Sequence, residues 1–199
     1  MIFFYQFLFL VLTYLICSIP FGLIVTRLAL GKDIRESGSG NIGATNVTRV
    51  AGKKLGAITL LLDGFKGMVM VIAARFTFYS IDNLHLLLIA VSAIAVVGHI
   101  YPIYLRFKGG KGVATTIAVL FALDPTIGFL TVMFWVMSFL LFRISAVASL
   151  VAILSASMFS VHYDAPREQV WLYVFLFILV TIRHKENIMR LLLGEEKKM

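Results

Sequence analysis

From residue 2 to residue 30 the chain is apolar almost without interruption, and nothing basic occurs before Arg27. A run of this length has few physical solutions. The hydrocarbon core of a bilayer needs about 20 apolar residues to cross it as a helix. Within it every backbone N–H and C=O must find a partner inside the protein, which an α-helix supplies by itself. Pro20 is expected to kink this first segment. Similar runs follow at 55–78, 84–100, 113–123, 126–142, 145–161 and 170–182, with Pro102 closing the third and Pro125 opening the fifth. Composition agrees: 60% of residues are apolar and 14% charged, whereas a soluble domain carries roughly a quarter charged residues. The expected fold class is an all-α integral membrane protein with about seven transmembrane helices, forming a single polytopic domain over residues 1–199. A secretory signal has basic residues before its apolar core, so the first segment is expected to be a retained span.

The short segment 113–123 decides the topology. Eleven residues rise only about 16 Å as a helix, roughly half the hydrocarbon thickness, so a re-entrant arm is the alternative to a span. With seven spans, the connections holding Arg27, Lys32, Arg35, Arg49, Lys53, Lys54, Arg106, Lys108, Lys111, Arg143, Arg183, Lys185, Arg190, Lys197 and Lys198 share one side. The other side keeps Arg167 and Arg75. Cytoplasmic loops hold the excess of Lys and Arg, so the N-terminus is expected outside and the C-terminus in the cytoplasm. The net charge of +8 is thereby read as membrane orientation and anionic ligands, not nucleic acid. Cys17 is the single cysteine, which excludes an intrachain disulfide and a thiolate metal cluster. No metal site and no cofactor is expected, and EDTA is expected to leave activity intact.

Three basic connections carry the chemistry. The first reads Glu36-Ser37-Gly38-Ser39-Gly40-Asn41-Ile42-Gly43-Ala44-Thr45-Asn46-Val47-Thr48-Arg49. Glycines let backbone N–H groups approach an anion closely, Ser39 and Asn46 add neutral hydrogen bonds, and Arg49 adds a charged fork. A flexible connector is the alternative. The second reads Gly98-His99-Ile100-Tyr101-Pro102, then Phe107-Lys108-Gly109-Gly110-Lys111-Gly112-Val113. Here glycines and two lysines lead into a helix N-terminus, a setting suited to phosphate. The nucleotide-binding spacing GxxxxGK[ST] is absent, and lysines that merely hold the loop inside are the alternative. The third begins at Arg183 and places His184 and Asn187 at i and i+3, able to face one ligand. A basic interfacial anchor would fit it equally. Within the second span, Asp63 and Lys66 also stand at i and i+3. Buried ionisable groups in a membrane pair with each other or serve a site. His85 and His162 lie toward the outer side and are given no functional role.

Together these stretches resemble the bacterial membrane acyl-phosphate:glycerol-3-phosphate acyltransferase family. The matching residues are 37–49, 98–102 with 107–115, and 183–192 followed by Gly194, with Asp63, Lys66 and Gly67 fitting as well. The resemblance implies transfer of an acyl group from acyl phosphate to the 1-hydroxyl of glycerol 3-phosphate, giving lysophosphatidic acid, without direct use of acyl-CoA or acyl carrier protein. It further implies residence in the bacterial inner membrane among lipids, a cytoplasmic active site, and an acyl-phosphate-producing enzyme as functional partner. The reading assigns Lys111 with Lys108, Gly109, Gly110 and Gly112 to phosphate binding. Arg49 holds glycerol phosphate, assisted by His184 and Asn187, while Ser39 and Asn46 bond within the pocket. Ser39, Lys111, His184 and Asn187 stand as the catalytic set. One departure is visible: the family has a serine three residues after the arginine that opens segment six, where this chain has Ala146, with Ser145 and Ser149 nearby.

Absent motifs bear on mechanism. No histidine is followed by aspartate at the HxxxxD spacing, and no GxSxG elbow occurs. An acyl phosphate is already an activated mixed anhydride, so its own phosphate oxygen can accept the proton of the attacking hydroxyl. A transporter or channel for small organic anions is the competing class, but such proteins usually show paired repeats, and none is present. A passive scaffold would leave the glycine-lysine loop unexplained.

Overall fold

The computed structural model describes residues 1–198. Among them there is no strand, and ten α-helices follow in order. They are α1 (Ile2–Cys17), α2 (Phe21–Leu30), α3 (Ala44–Ala51), α4 (Lys53–Thr77), α5 (Leu84–Ile100), α6 (Val113–Leu123), α7 (Pro125–Phe142), α8 (Ser145–His162), α9 (Arg167–Arg183) and α10 (Lys185–Leu192). Five helical stretches are long and apolar enough to cross a membrane: Ile2–Leu30, Lys53–Thr77, Leu84–Leu105, Pro125–Phe142 and Ser145–His162. The remaining two expected segments are shorter, α6 with 11 residues and α9 with 17. Large apolar side chains point outward along these helices, with Phe76 and Leu141 each 74% exposed. Such a surface suits lipid and not water.

The first segment is two helices instead of one kinked one. Proline cannot donate a backbone hydrogen bond, and it drives the residue before it out of the helical region. Accordingly α1 closes at Cys17 and α2 opens after Pro20. A further helix, α3, occupies the second half of the glycine-rich connection, which the sequence alone suggested as loop.

Two compact units make up the chain, Met1–Val119 and Leu120–Met199. In the first, α5 packs against α1 and α4, while α2 and α3 pack on α4. Gly22 lets α2 lie directly on the connection, since a Cβ there would collide with the Ile42 carbonyl. Leu23, Ile34, Ile42 and Val47 form a small buried cluster that fastens the connection to α2 and α3. In the second unit, α8 packs between α7 and α9. Its buried Ala148, Ala152 and Ala156 provide the close approach that membrane helices use in place of a hydrophobic driving force. Asp124 caps α7 by accepting from the N–H groups of Thr126 and Ile127, at 2.9 and 3.1 Å, with Pro125 in the first turn.

Candidate active site

The first connection is organised around one side chain. Asn46 is 2% exposed, and its Oδ1 accepts from the Ser39 N–H at 2.9 Å. Its Nδ2 donates to the carbonyls of Asn41, Ser37 and Ile34 at 2.9, 3.0 and 3.4 Å. All of these contacts are to the connection itself, so Asn46 shapes the loop. Gly38 has φ +63°, and a Cβ there would meet the Asn46 amide oxygen, so both φ and space require glycine. The loop's neck is closed by Asp33. It accepts from the Arg35 backbone N–H, Nε and Nη2 at 3.0, 2.9 and 2.6 Å and from Arg27 Nη2 at 2.7 Å. The Arg35 guanidinium, helped by Arg27 and opposed by loss of solvation, holds the Asp33 carboxyl well below the usual carboxylate range. Ser39 and Arg49 remain exposed on this framework.

The second connection folds back on the end of α5. The Gly109 N–H donates to the Ile100 carbonyl at 3.1 Å and the Gly110 N–H to the His99 carbonyl at 3.2 Å. Both glycines are buried, and neither leaves room for a Cβ: Gly109 lies against the His99 carbonyl and Pro102, Gly110 against the His99 ring. Both of these N–H groups, expected at a phosphate, bond within the connection in this structure. The amides that follow, at Gly112, Val113 and Ala114, open α6, where a helix has no intrahelical acceptor for its first N–H groups. Gly112 has φ +86°. Lys108 is exposed and Lys111 half-buried beside this helix start.

Beneath the loop lie three ionisable side chains. Asp63 and Lys66 pair at 2.9 Å, as their spacing suggests. Lys66 also donates to the Ile19 carbonyl at 2.8 Å and lies 5.5 Å from the Phe21 ring centre. His99 Nδ1 is 3.5 Å from the same Asp63 oxygen. The Thr115 hydroxyl donates to the Asp63 carbonyl at 2.8 Å, tying α6 to α4. Cys17 is a buried thiol, 3.6 Å from the Lys66 carbonyl oxygen.

In the second unit, His184 and Asn187 are buried at 3% and 5% exposure. His184 precedes α10, with Nδ1 2.8 Å from the Val180 carbonyl. That contact suits a proton on Nδ1. The Asn187 amide donates to Glu196 at 2.7 Å, and Arg190 Nε donates to the other oxygen of Glu196 at 2.7 Å. Ala146 is buried, while Ser149 donates to the Ser145 carbonyl at 2.7 Å and accepts from Trp135 at 3.2 Å.

Comparison with known proteins settles the family. The family model for glycerol-3-phosphate acyltransferase matches residues 7–194. The chain belongs to the glycerol-3-phosphate acyltransferase family. It is 48% identical over 187 residues to the glycerol-3-phosphate acyltransferase of Caulobacter vibrioides, covering 94% of this chain and 84% of that one. Its fold is similar to crystal structures of PlsY, an integral membrane glycerol 3-phosphate acyltransferase. The glycerol 3-phosphate form gives a TM-score of 0.91 at 38% identity, covering 98% of this chain and 95% of that one. The lysophosphatidic acid form gives 0.88 at 36% identity over the same shares.

Reading this glycerol-3-phosphate acyltransferase from sequence missed three residues. Asp33 was passed over because Arg27 and Arg35 registered only as orienting charges. Glu196 lies in a tail whose spacing from Asn187 and Arg190 marks no motif. His99 belongs to the second stretch but received no role of its own there, because its neighbour Asp63 is on another helix. A histidine immediately before a glycine-lysine loop was the available signal.

Proposed function

We propose that this acyltransferase moves a fatty acyl group from acyl phosphate to the 1-hydroxyl of glycerol 3-phosphate. The hydroxyl oxygen bonds to the acyl carbon, the bond from that carbon to the phosphate oxygen breaks, and the proton passes to the departing phosphate. The products are lysophosphatidic acid and inorganic phosphate. The observation that carries this reading is the family match over residues 7–194. The glycerol 3-phosphate and lysophosphatidic acid forms of PlsY support its substrate and product.

The chain's own groups suit a reaction that needs holding more than activating. Lys111 and the amides opening α6 receive a phosphate, with Lys108 adding charge nearby. Arg49 holds the glycerol phosphate as a two-pronged donor, and the exposed Ser39 hydroxyl hydrogen-bonds at the same connection. His184 and Asn187 are assigned polar contacts to substrate on the strength of the pattern over 183–192. Holding two anions with the hydroxyl aimed at the carbonyl carbon removes most of the entropic cost of the encounter. Fixed cationic donors then stabilise charge on the reacting oxygens.

The reading includes one catalytic domain over residues 1–199 with seven crossings, α6 and α9 among them, in the bacterial inner membrane. The N-terminus is outside and the active site cytoplasmic. The one-sided distribution of lysine and arginine supports this orientation. Acyl phosphate is an activated, membrane-partitioning substrate, so an enzyme producing it is the functional partner.

The test supplies detergent-purified protein with palmitoyl phosphate and glycerol 3-phosphate, without CoA or carrier protein. Equimolar lysophosphatidic acid and inorganic phosphate are expected. Product formed from acyl-CoA but not from acyl phosphate would overturn the donor, and no product from either would overturn the activity.

A further inference from the structure

Asp63, on α4, contacts Lys66 on its own helix and one residue on each of α5 and α6, the helices that flank the glycine-lysine loop. Its Oδ1 is 2.9 Å from Lys66 Nζ and 3.5 Å from His99 Nδ1, and its carbonyl accepts the Thr115 hydroxyl at 2.8 Å. His99 engages the connection twice. Its carbonyl accepts from the Gly110 N–H at 3.2 Å, and its Nε2 edge lies so close to Gly110 that no Cβ fits between them. Asp63, Lys66 and His99 are 2%, 4% and 4% exposed.

Buried ionisable side chains in membrane helices are costly and are kept where they serve a site. The Asp63–Lys66 pair is already neutral, so charge balance gives His99 no reason to be there. What its ring touches is the glycine loop. Lys111 and Gly112 follow directly, so their direction depends on where Gly110 rests. The Asp63 carboxylate oxygen 3.5 Å from Nδ1 faces that edge of the ring and favours one orientation of it.

We propose that His99, held by Asp63, is the positioning residue of the phosphate loop: its imidazole supports Gly110 from beneath and thereby aims Lys111 and the opening of α6. This rests on the reading that the loop receives a phosphate. Losing the ring lets the loop settle into the vacated space, and a shift of about 1 Å is enough to cost on the order of a hundredfold in a positioned reaction. Asparagine at 99 keeps a donor near the Nδ1 position but not the ring edge under Gly110, so it should act between histidine and alanine.

The experiment uses the full chain in detergent with inorganic phosphate as probe, read as phosphate-dependent stabilisation against unfolding. The parent is expected to be stabilised saturably. His99→Ala is expected to need at least about tenfold more phosphate, with His99→Asn intermediate and the phosphate-free unfolding temperature little changed in both. In turnover, His99→Ala should lower the rate as Lys111→Ala does, with His99→Asn lowering it less. Parent-like phosphate dependence in His99→Ala overturns the proposal, as does a parent that phosphate does not stabilise. Equal losses in both variants, matched by a fall in phosphate-free stability, also overturn it, because they mark a general packing role. A parent that binds phosphate through His99 yet turns over no acyl phosphate supports this inference and removes the donor assigned above.

Discussion

The Lys66 ammonium stands 2.8 Å from the Ile19 carbonyl, joining an intramembrane cation to the backbone where α1 gives way to α2. The negative end of a helix attracts a cation, and Asp63 balances the charge that arrives. Lys66→Met leaves the Asp63 carboxylate buried without its cation, which should cost on the order of 3 kcal/mol. Thermal unfolding in detergent measures this. Adding Asp63→Asn to the same chain should restore part of the stability. A double variant as unstable as the sum of the singles would show that the pair is not coupled.

Lys111→Ala should lower turnover well over tenfold, since a charged contact to a developing anion is worth a few kcal/mol. The folded chain should be retained, because Lys111 is half-buried at a loop rather than in a helix interior. Near-parent rates would remove Lys111 from the reaction.

For Arg49, substitution by lysine separates fork from charge. Arg49→Lys keeps the charge and loses the two-pronged geometry, so KM for glycerol 3-phosphate should rise several-fold while the other substrate's KM stays put. A uniform fall in kcat with both KM values intact would place Arg49 elsewhere in the cycle.

Asn46→Asp is nearly isosteric and inverts the chemistry. The amide that donates to three carbonyls becomes an oxygen facing them, with unpaired acceptors costing about 1–3 kcal/mol. Proteolysis within residues 31–43 should accelerate and activity should fall. Unchanged proteolysis would show that the loop does not depend on this side chain.

Acid should loosen the same connection through Asp33. Its pKa is depressed in the folded chain by Arg35 first and by Arg27 as well. Its stabilising contribution is therefore complete above the ordinary aspartate value of about 3.9 and is lost as pH falls below that value toward the depressed one. Hydrogen exchange across residues 31–43 should rise in that acid window in the parent. In Asp33→Asn it should be faster at neutral pH and lack this step, and a step that persists there would point to another carboxylate.

The sequence by itself determined the solvent, the helical class and the family. Runs such as residues 2–30 admit helices in a bilayer because lipid offers backbone groups no other partner. Asp63 and Lys66 were legible as a pair because their spacing places them on one helical face. The tertiary structure decided which polar groups are taken up in building the connections. Asn46 and the Gly109 and Gly110 amides have the chemistry of ligand contacts, yet they bond to their own connections. His99 meets Asp63 only because α4 and α5 pack side by side. Spacing reports neighbours along one helix, whereas contacts between helices are fixed by packing, where small residues such as Gly22 set how closely backbones approach.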